Sequence, residues 1–112
     1  MAMQNYDACI QACLECAQAC ENCASECLGE SNVQMMANCI QSDRDCATIC
    51  WTAAALMSRG SQYAQEICRV CAEACDACAA ECEKHDDEHC HKCAVACKNC
   101  ANLCRKMSGG DA

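Results

Sequence analysis

The residues of this chain able to do chemistry are thiols, and they come in columns. Cys9, Cys13, Cys16, Cys20, Cys23 and Cys27 follow one another at steps of 4, 3, 4, 3 and 4. That alternation places side chains on one stripe of one helix. The column returns at Cys68, Cys71, Cys75, Cys78 and Cys82, and again at Cys90, Cys93, Cys97, Cys100 and Cys104. A sparser version runs through Cys39, Cys46 and Cys50. Thiols three or four residues apart on a helix have Cβ atoms roughly 5–6 Å apart, so two sulfurs can bracket one metal ion. The six CxxC pairs are joined by CxxxC steps, so nearly every thiol has a neighbour on both sides. The result is a continuous column of ligands and not a set of separate closed sites.

Packing alone does not account for nineteen cysteines, because Leu or Ala fills a bundle core without oxidation risk. A disulfide scaffold is opposed by the odd count, by the helical spacing and by the absence of an export signal. The N-terminal MAMQNYDAC has neither a basic region nor an apolar core, so the chain is expected in the cytosol. Zinc prefers four tetrahedral ligands in a closed site, and iron–sulfur clusters want four defined thiolates, commonly on loops. Cu(I) is soft and prefers thiolates, and it accepts two or three ligands, which a column supplies. Charge points the same way: thiolates in a dry core require compensation, and one monovalent ion per thiolate leaves the core neutral. Cu(I) at about one ion per cysteine fits this pattern, and Ag(I) should bind by the same logic. Two rivals remain. One is a metallothionein-like Zn(II) or Cd(II) buffer. The other is a thiol oxidoreductase, which is disfavoured because its CxxC pairs would lie mid-helix instead of at a helix N-terminus.

These columns need helices to carry them. The chain has no proline, and its breaks fall at Gly29, Gly60 and the charged run 84–88. The pattern predicts an all-α, antiparallel up-down-up-down four-helix bundle with a cysteine-lined core. The helices are expected at about 5–28, 32–59, 62–84 and 87–107, in one domain over 1–112. Asn5 or Asp7, Ser61, and Asp86 or Asp87 are candidate caps, and Ser31 with Gln34 has the form of a capping box. Leu, Ile and Val total eleven and Phe is absent, so the interior must be sulfur and alanine. A net charge of −8 argues against nucleic acid and anionic membranes as partners. No apolar run is long enough to span a bilayer.

Three features stand outside the columns. Asp43 occupies a position in the second helix's seam where a thiol is expected; it is either a solvated carboxylate or a polar group aimed into the lumen. His85, His89 and His91 gather at the turn between the third and fourth helices, on the same end as Met35 and Met36. They form either a solvated turn or a set of weaker, exchangeable ligands at a copper entrance. Val33, Ala37, Ile40, Ala47, Trp51, Ala54 and Ala55 make a second apolar stripe on the second helix, either an interface between chains or a flat exposed patch.

The chain resembles the bacterial copper storage proteins of the cytosolic branch across essentially its whole length. The resemblance is carried by the Cys9–Cys27 and Cys68–Cys82 columns and by the segment CEKHDDEHCHKC from Cys82 to Cys93. It implies a homotetramer of four-helix bundles storing Cu(I) in the lumen, without catalysis; a cytosolic copper donor or acceptor is the expected partner. It also favours the histidine end as the mouth.

Overall fold

A computed structural model describes residues 5–109. The first four and last three residues of the expected domain over 1–112 lie outside them. Four helices run α1 (Asp7–Leu28), α2 (Ala37–Ser58), α3 (Ala64–Cys82) and α4 (Glu88–Met107), with a short 3-10 turn at Val33–Met36 before α2. Each helix packs against its two neighbours in sequence order, and α4 closes the ring on α1. The bundle measures 54 × 23 × 17 Å. Among the described residues there is no strand and no helix long and apolar enough to cross a membrane.

The helix ends follow local chemistry, with some departures from the sequence expectations. Asn5 Oδ1 accepts from the Asp7 N–H at 3.0 Å and opens α1. Ser61 Oγ accepts from the Tyr63 N–H at 3.0 Å ahead of α3. Gly60 takes φ +64°, the left-handed conformation that ends a helix at little cost for glycine. Gly29, in contrast, stays right-handed at φ −90°, so α1 ends in a tightening turn and not in a left-handed glycine cap. The capping box at Ser31 does not form. The chain instead coils as a 3-10 turn that buries Met36, and α2 starts only at Ala37 without a side-chain cap. Asp87 precedes α4 in an extended conformation, also without a capping bond.

The core is sulfur, alanine and two methionines, Met36 and Met57, with Ile10, Leu14, Ile40, Ile49, Ile67 and Leu103 packed around its rim. All nineteen cysteines are buried and none is paired in a disulfide. The second apolar stripe of α2 is narrower than its sequence suggested. Ala47 and Ala54 are buried within the chain, whereas Val33, Ala37, Trp51 and Ala55 face outward and Ile40 is half-buried.

A candidate metal tube

The lumen can be followed from sulfur to sulfur. At the end where the chain begins, Cys9 and Cys104 are 3.6 Å apart, and Cys13 reaches Cys100 at 3.6 Å and Cys104 at 3.7 Å. In the middle, Cys16 meets Cys97 at 3.6 Å and Cys75 at 3.8 Å, while Cys46–Cys75 and Cys50–Cys71 are both 3.6 Å. Further along, Cys20 touches Cys93 at 3.6 Å and Cys78 at 4.0 Å. Near the turns linking α1 to α2 and α3 to α4, Cys23 lies 3.8 Å from Cys90 and 4.0 Å from Cys27, and Cys39 lies 3.9 Å from Cys82. Cys68 faces Met57 at the far end.

This spacing suits metal with little movement of the helices. At a metal–sulfur bond of about 2.3 Å, three sulfurs around one ion stand about 4.0 Å apart and four about 3.8 Å. Sets of four thiols with all sulfurs within 4.8 Å of one another recur along the tube. Cys13, Cys71, Cys100 and Cys104 form one, and Cys23, Cys27, Cys39 and Cys90 another. The central sets overlap: Cys16 and Cys46 belong to two of them, as do Cys20 and Cys97. A closed tetrahedral site needs four ligands of its own. Overlapping sets mean thiolates that bridge neighbouring ions, which suits a cluster-forming monovalent soft metal.

Asp43 is fully buried and aimed into the lumen, which decides between its two sequence readings. Its Oδ1 accepts from the thiols of Cys78 at 3.2 Å, Cys93 at 3.3 Å and Cys82 at 3.6 Å, and its Oδ2 from Cys39 at 3.8 Å. Burial, followed by the neighbouring Cys93, pushes its carboxyl far above the usual carboxylate range. The shift favours the neutral carboxylic acid inside this ring of sulfurs. Burial likewise raises Cys27 and Cys90 above an ordinary thiol.

The structure separates the three histidines. His89 turns inward, with Nδ1 3.4 Å from Cys23 Sγ and 3.5 Å from Cys90 Sγ. Its Nε2 meets Glu30 at 2.9 Å and Asp87 at 3.4 Å. Burial alone would lower the His89 pKa; the Cys23 contact and Glu30 outweigh it and lift the ring to about 9. Cys23 is drawn down to about 5 by Cys39 and Cys82 first, with His89 adding to the effect. His85 instead bonds Glu81 at 3.3 Å, and His91 is exposed on the outer surface. Met35 is exposed and Met36 buried. The carboxylates Glu30 and Glu81 had no sequence signal, and Asp87 was marked only as a helix cap: Glu30 lies 59 residues from the histidine it holds.

The site defines a class: a four-helix bundle whose interior is a column of unpaired thiols built to hold soft metal ions. The chain belongs to the copper storage protein family, whose profile matches residues 2–109. It is similar to a Cu(I)-bound copper storage protein BsCsp3, at 46% identity and a TM-score of 0.91, over 95% of this chain and 100% of that one. The apo-Csp3 structure from Bacillus subtilis aligns at 45% identity and a TM-score of 0.89, over 94% of this chain and 100% of that one. A cytosolic copper storage protein from Streptomyces lividans, captured with five coppers, aligns at 42% identity and a TM-score of 0.87, over 91% of this chain and 90% of that one. An uncharacterised cysteine-rich protein, YhjQ, of Bacillus subtilis strain 168 is 47% identical over 88 residues, or 78% of this chain and 82% of that protein.

Proposed function

We propose that this chain stores and sequesters Cu(I) in the cytosol, on the order of 19 ions per chain, on the thiolates that line the tube. The observation that carries this reading is the unbroken run of buried, unpaired thiols with sulfurs 3.6–4.0 Å from their neighbours. The metal ligands are the nineteen cysteines, with Asp43 as an oxygen donor inside the lumen. Cu(I) displaces the thiol proton and forms a Cu–S bond; neighbouring ions share bridging sulfurs, and the lumen stays neutral as it fills. The helices supply positions and exclude water, and no catalytic step is needed.

Copper enters at the histidine end. His89 is the inward gate ligand: its Nδ1 reaches Cys23 and Cys90 while Glu30 and Asp87 hold the ring from outside. His85 and His91 have no contact with the thiols among the described residues, so their part is to gather ions at the rim. The partner is a cytosolic copper donor or acceptor. The chain assembles as a homotetramer, with Val33 of the 3-10 turn and Ala37, Ile40 and Trp51 of α2 in the contact, flanked by Arg44 and Asp45.

An anaerobic Cu(I) titration with metal analysis tests the storage reading. A plateau close to 19 equivalents is expected. A plateau at four or five would mean discrete tetrahedral sites and would sink it. The same titration with Zn(II) separates copper storage from a zinc or cadmium buffer.

A further inference from the structure

The two ends of the tube are built differently. At the histidine end every helix brings a sulfur or a polar donor. At the far end α2 runs out of thiols first. After Cys50 its inward positions are Ala53 and Met57, both buried, while α1, α3 and α4 continue to Cys9, Cys68 and Cys104. At this end Cys9 and Cys104 stand 3.6 Å from each other. The Cys68 thiol donates to Met57 Sδ at 3.5 Å, and Met57 is only 3% exposed. A methionine that only fills space has three rotatable bonds and can turn its sulfur in many directions. Here the thioether sulfur is set against Cys68, the first thiol of α3, in the register where α2 would otherwise carry a cysteine.

We propose that Met57 is itself a copper ligand, and that Met57 Sδ and Cys68 Sγ form a mixed thioether–thiolate Cu(I) site at the end of the tube opposite the histidines. The proposal rests on the copper-storage reading. Both donors are soft and suit Cu(I). The thioether is neutral, so one Cu(I) held by a single thiolate and a thioether leaves the tube end uncharged, as the dry surroundings require. Binding forms the Cu–Sγ and Cu–Sδ bonds and sends the Cys68 proton to solvent. Copper remains Cu(I) and no sulfur is oxidised. The site completes a layer that three helices line with thiolates and α2 cannot. Because a thioether donates more weakly than a thiolate, the ion it holds is the most readily surrendered at that end.

The test is selenium K-edge absorption on selenomethionine-labelled full-length protein, loaded anaerobically with Cu(I). Wild type is compared with Met57→Leu, a near-isosteric change that keeps the core filled. Met35, Met36 and Met107 are present in both proteins, so the difference isolates position 57. The expected result is a selenium–copper scattering shell present in wild type and lost in Met57→Leu. A second variant, Cys68→Ser, keeps the methionine and removes its partner, and should weaken the same shell. Full copper uptake with identical spectra for wild type and Met57→Leu overturns this proposal and leaves the storage reading standing. No copper uptake at all overturns both.

Discussion

Loading should release protons in nearly equal number to the copper bound. All nineteen thiols are buried and unpaired, and a dry lumen cannot hold many thiolates before a cation arrives. Burial raises Cys27 and Cys90, as expected for neutral thiols. Cys23 is drawn down, by Cys39 and Cys82 first with His89 adding to the effect, and Cys16 and Cys71 are lowered as well, but the dry lumen as a whole must stay close to neutral. Each incoming Cu(I) therefore displaces close to one proton, and filling the tube releases on the order of 18 or 19 per chain. The linkage is steep. One proton per ion makes each site's affinity change tenfold per pH unit, about 1.4 kcal/mol. Between pH 7 and pH 5 each ion is thus held about a hundredfold less tightly. The assay is an anaerobic Cu(I) titration in weak buffer followed by a pH indicator, with metal analysis of the same samples. A ratio near one proton per copper is expected, constant until the tube is full. A ratio near zero would mean that the resting thiols are already ionised, and the account of the lumen as a neutral, pre-spaced column would be wrong. Three or four protons per ion, with saturation near one quarter of the thiols, would indicate closed tetrathiolate sites instead.

Copper loading should raise the thermal midpoint strongly, because the ions bind the folded lumen and tie four helices together; circular dichroism should show the apo chain already helical, and a random-coil apo spectrum would contradict the thiol core. His89→Ala should slow Cu(I) uptake in stopped-flow measurements while His91→Ala leaves it near the wild-type rate, and both should keep final capacity; equal rates for His89→Ala and wild type would remove His89 from the entry path. The His89 pKa is raised from an ordinary 6.5 to about 9 in the fold, so its stabilising contribution is fully present below pH 6.5 and is lost as pH rises through 9. Urea unfolding of apo wild type and His89→Ala should accordingly differ most below pH 6.5 and converge above pH 9, and a pH-independent difference would mean the ring acts by packing alone. Trp51→Asp should give smaller species by light scattering, since an added charge opposes burial of the α2 stripe; an unchanged mass would place the chain contact elsewhere.

The columns were legible because a 3-4 repeat of one residue type admits one folded reading: a thiol at each step faces the same side of a helix, and four such helices must turn those sides together. Asp43 was legible as a position but not as an environment. Whether its carboxyl meets water or sulfur depends on how α2 is rotated against α1 and α3, a property of the packed bundle that one helix's sequence does not carry. The histidines show the same limit. Three of them within seven residues mark an end of the tube, and helix geometry sets His89 and His91 about 200° apart so that both cannot face inward, but which of them does depends on how α4 packs. Their partners Glu30 and Glu81 are ordinary surface acids when read along the chain. The start of α2 was misread because Ser31 and Gln34 satisfy a local capping pattern, while the burial of Met36 favours a tighter turn over that cap. Ala47 and Ala54 were misplaced on the outer stripe because alanine is small enough to suit either face.

That last error exposes how the tube is dimensioned. A buried alanine directly follows a lumen cysteine at Cys16-Ala17, Cys23-Ala24, Cys46-Ala47, Cys71-Ala72, Cys78-Ala79, Cys93-Ala94 and Cys100-Ala101. The cysteine points into the tube, and the alanine one step on, rotated by about 100°, falls where two helices touch. Interhelical distance is set by the side chains at the contact, commonly 8–10 Å, and a side chain as small as alanine favours the short end. Short interhelical distances are what bring compact thiols from facing helices to 3.6–4.0 Å, including the diagonal Cys16–Cys75 pair at 3.8 Å. Leucine at these contacts would bury more apolar area and push the walls apart, leaving thiols too distant to share an ion. The scarcity of large aliphatic residues noted in the sequence is therefore a requirement of the metal site. The fold gives up hydrophobic mass between its helices so that its sulfurs sit at bridging distance, and the metal it holds supplies the cross-links that the missing mass would otherwise provide.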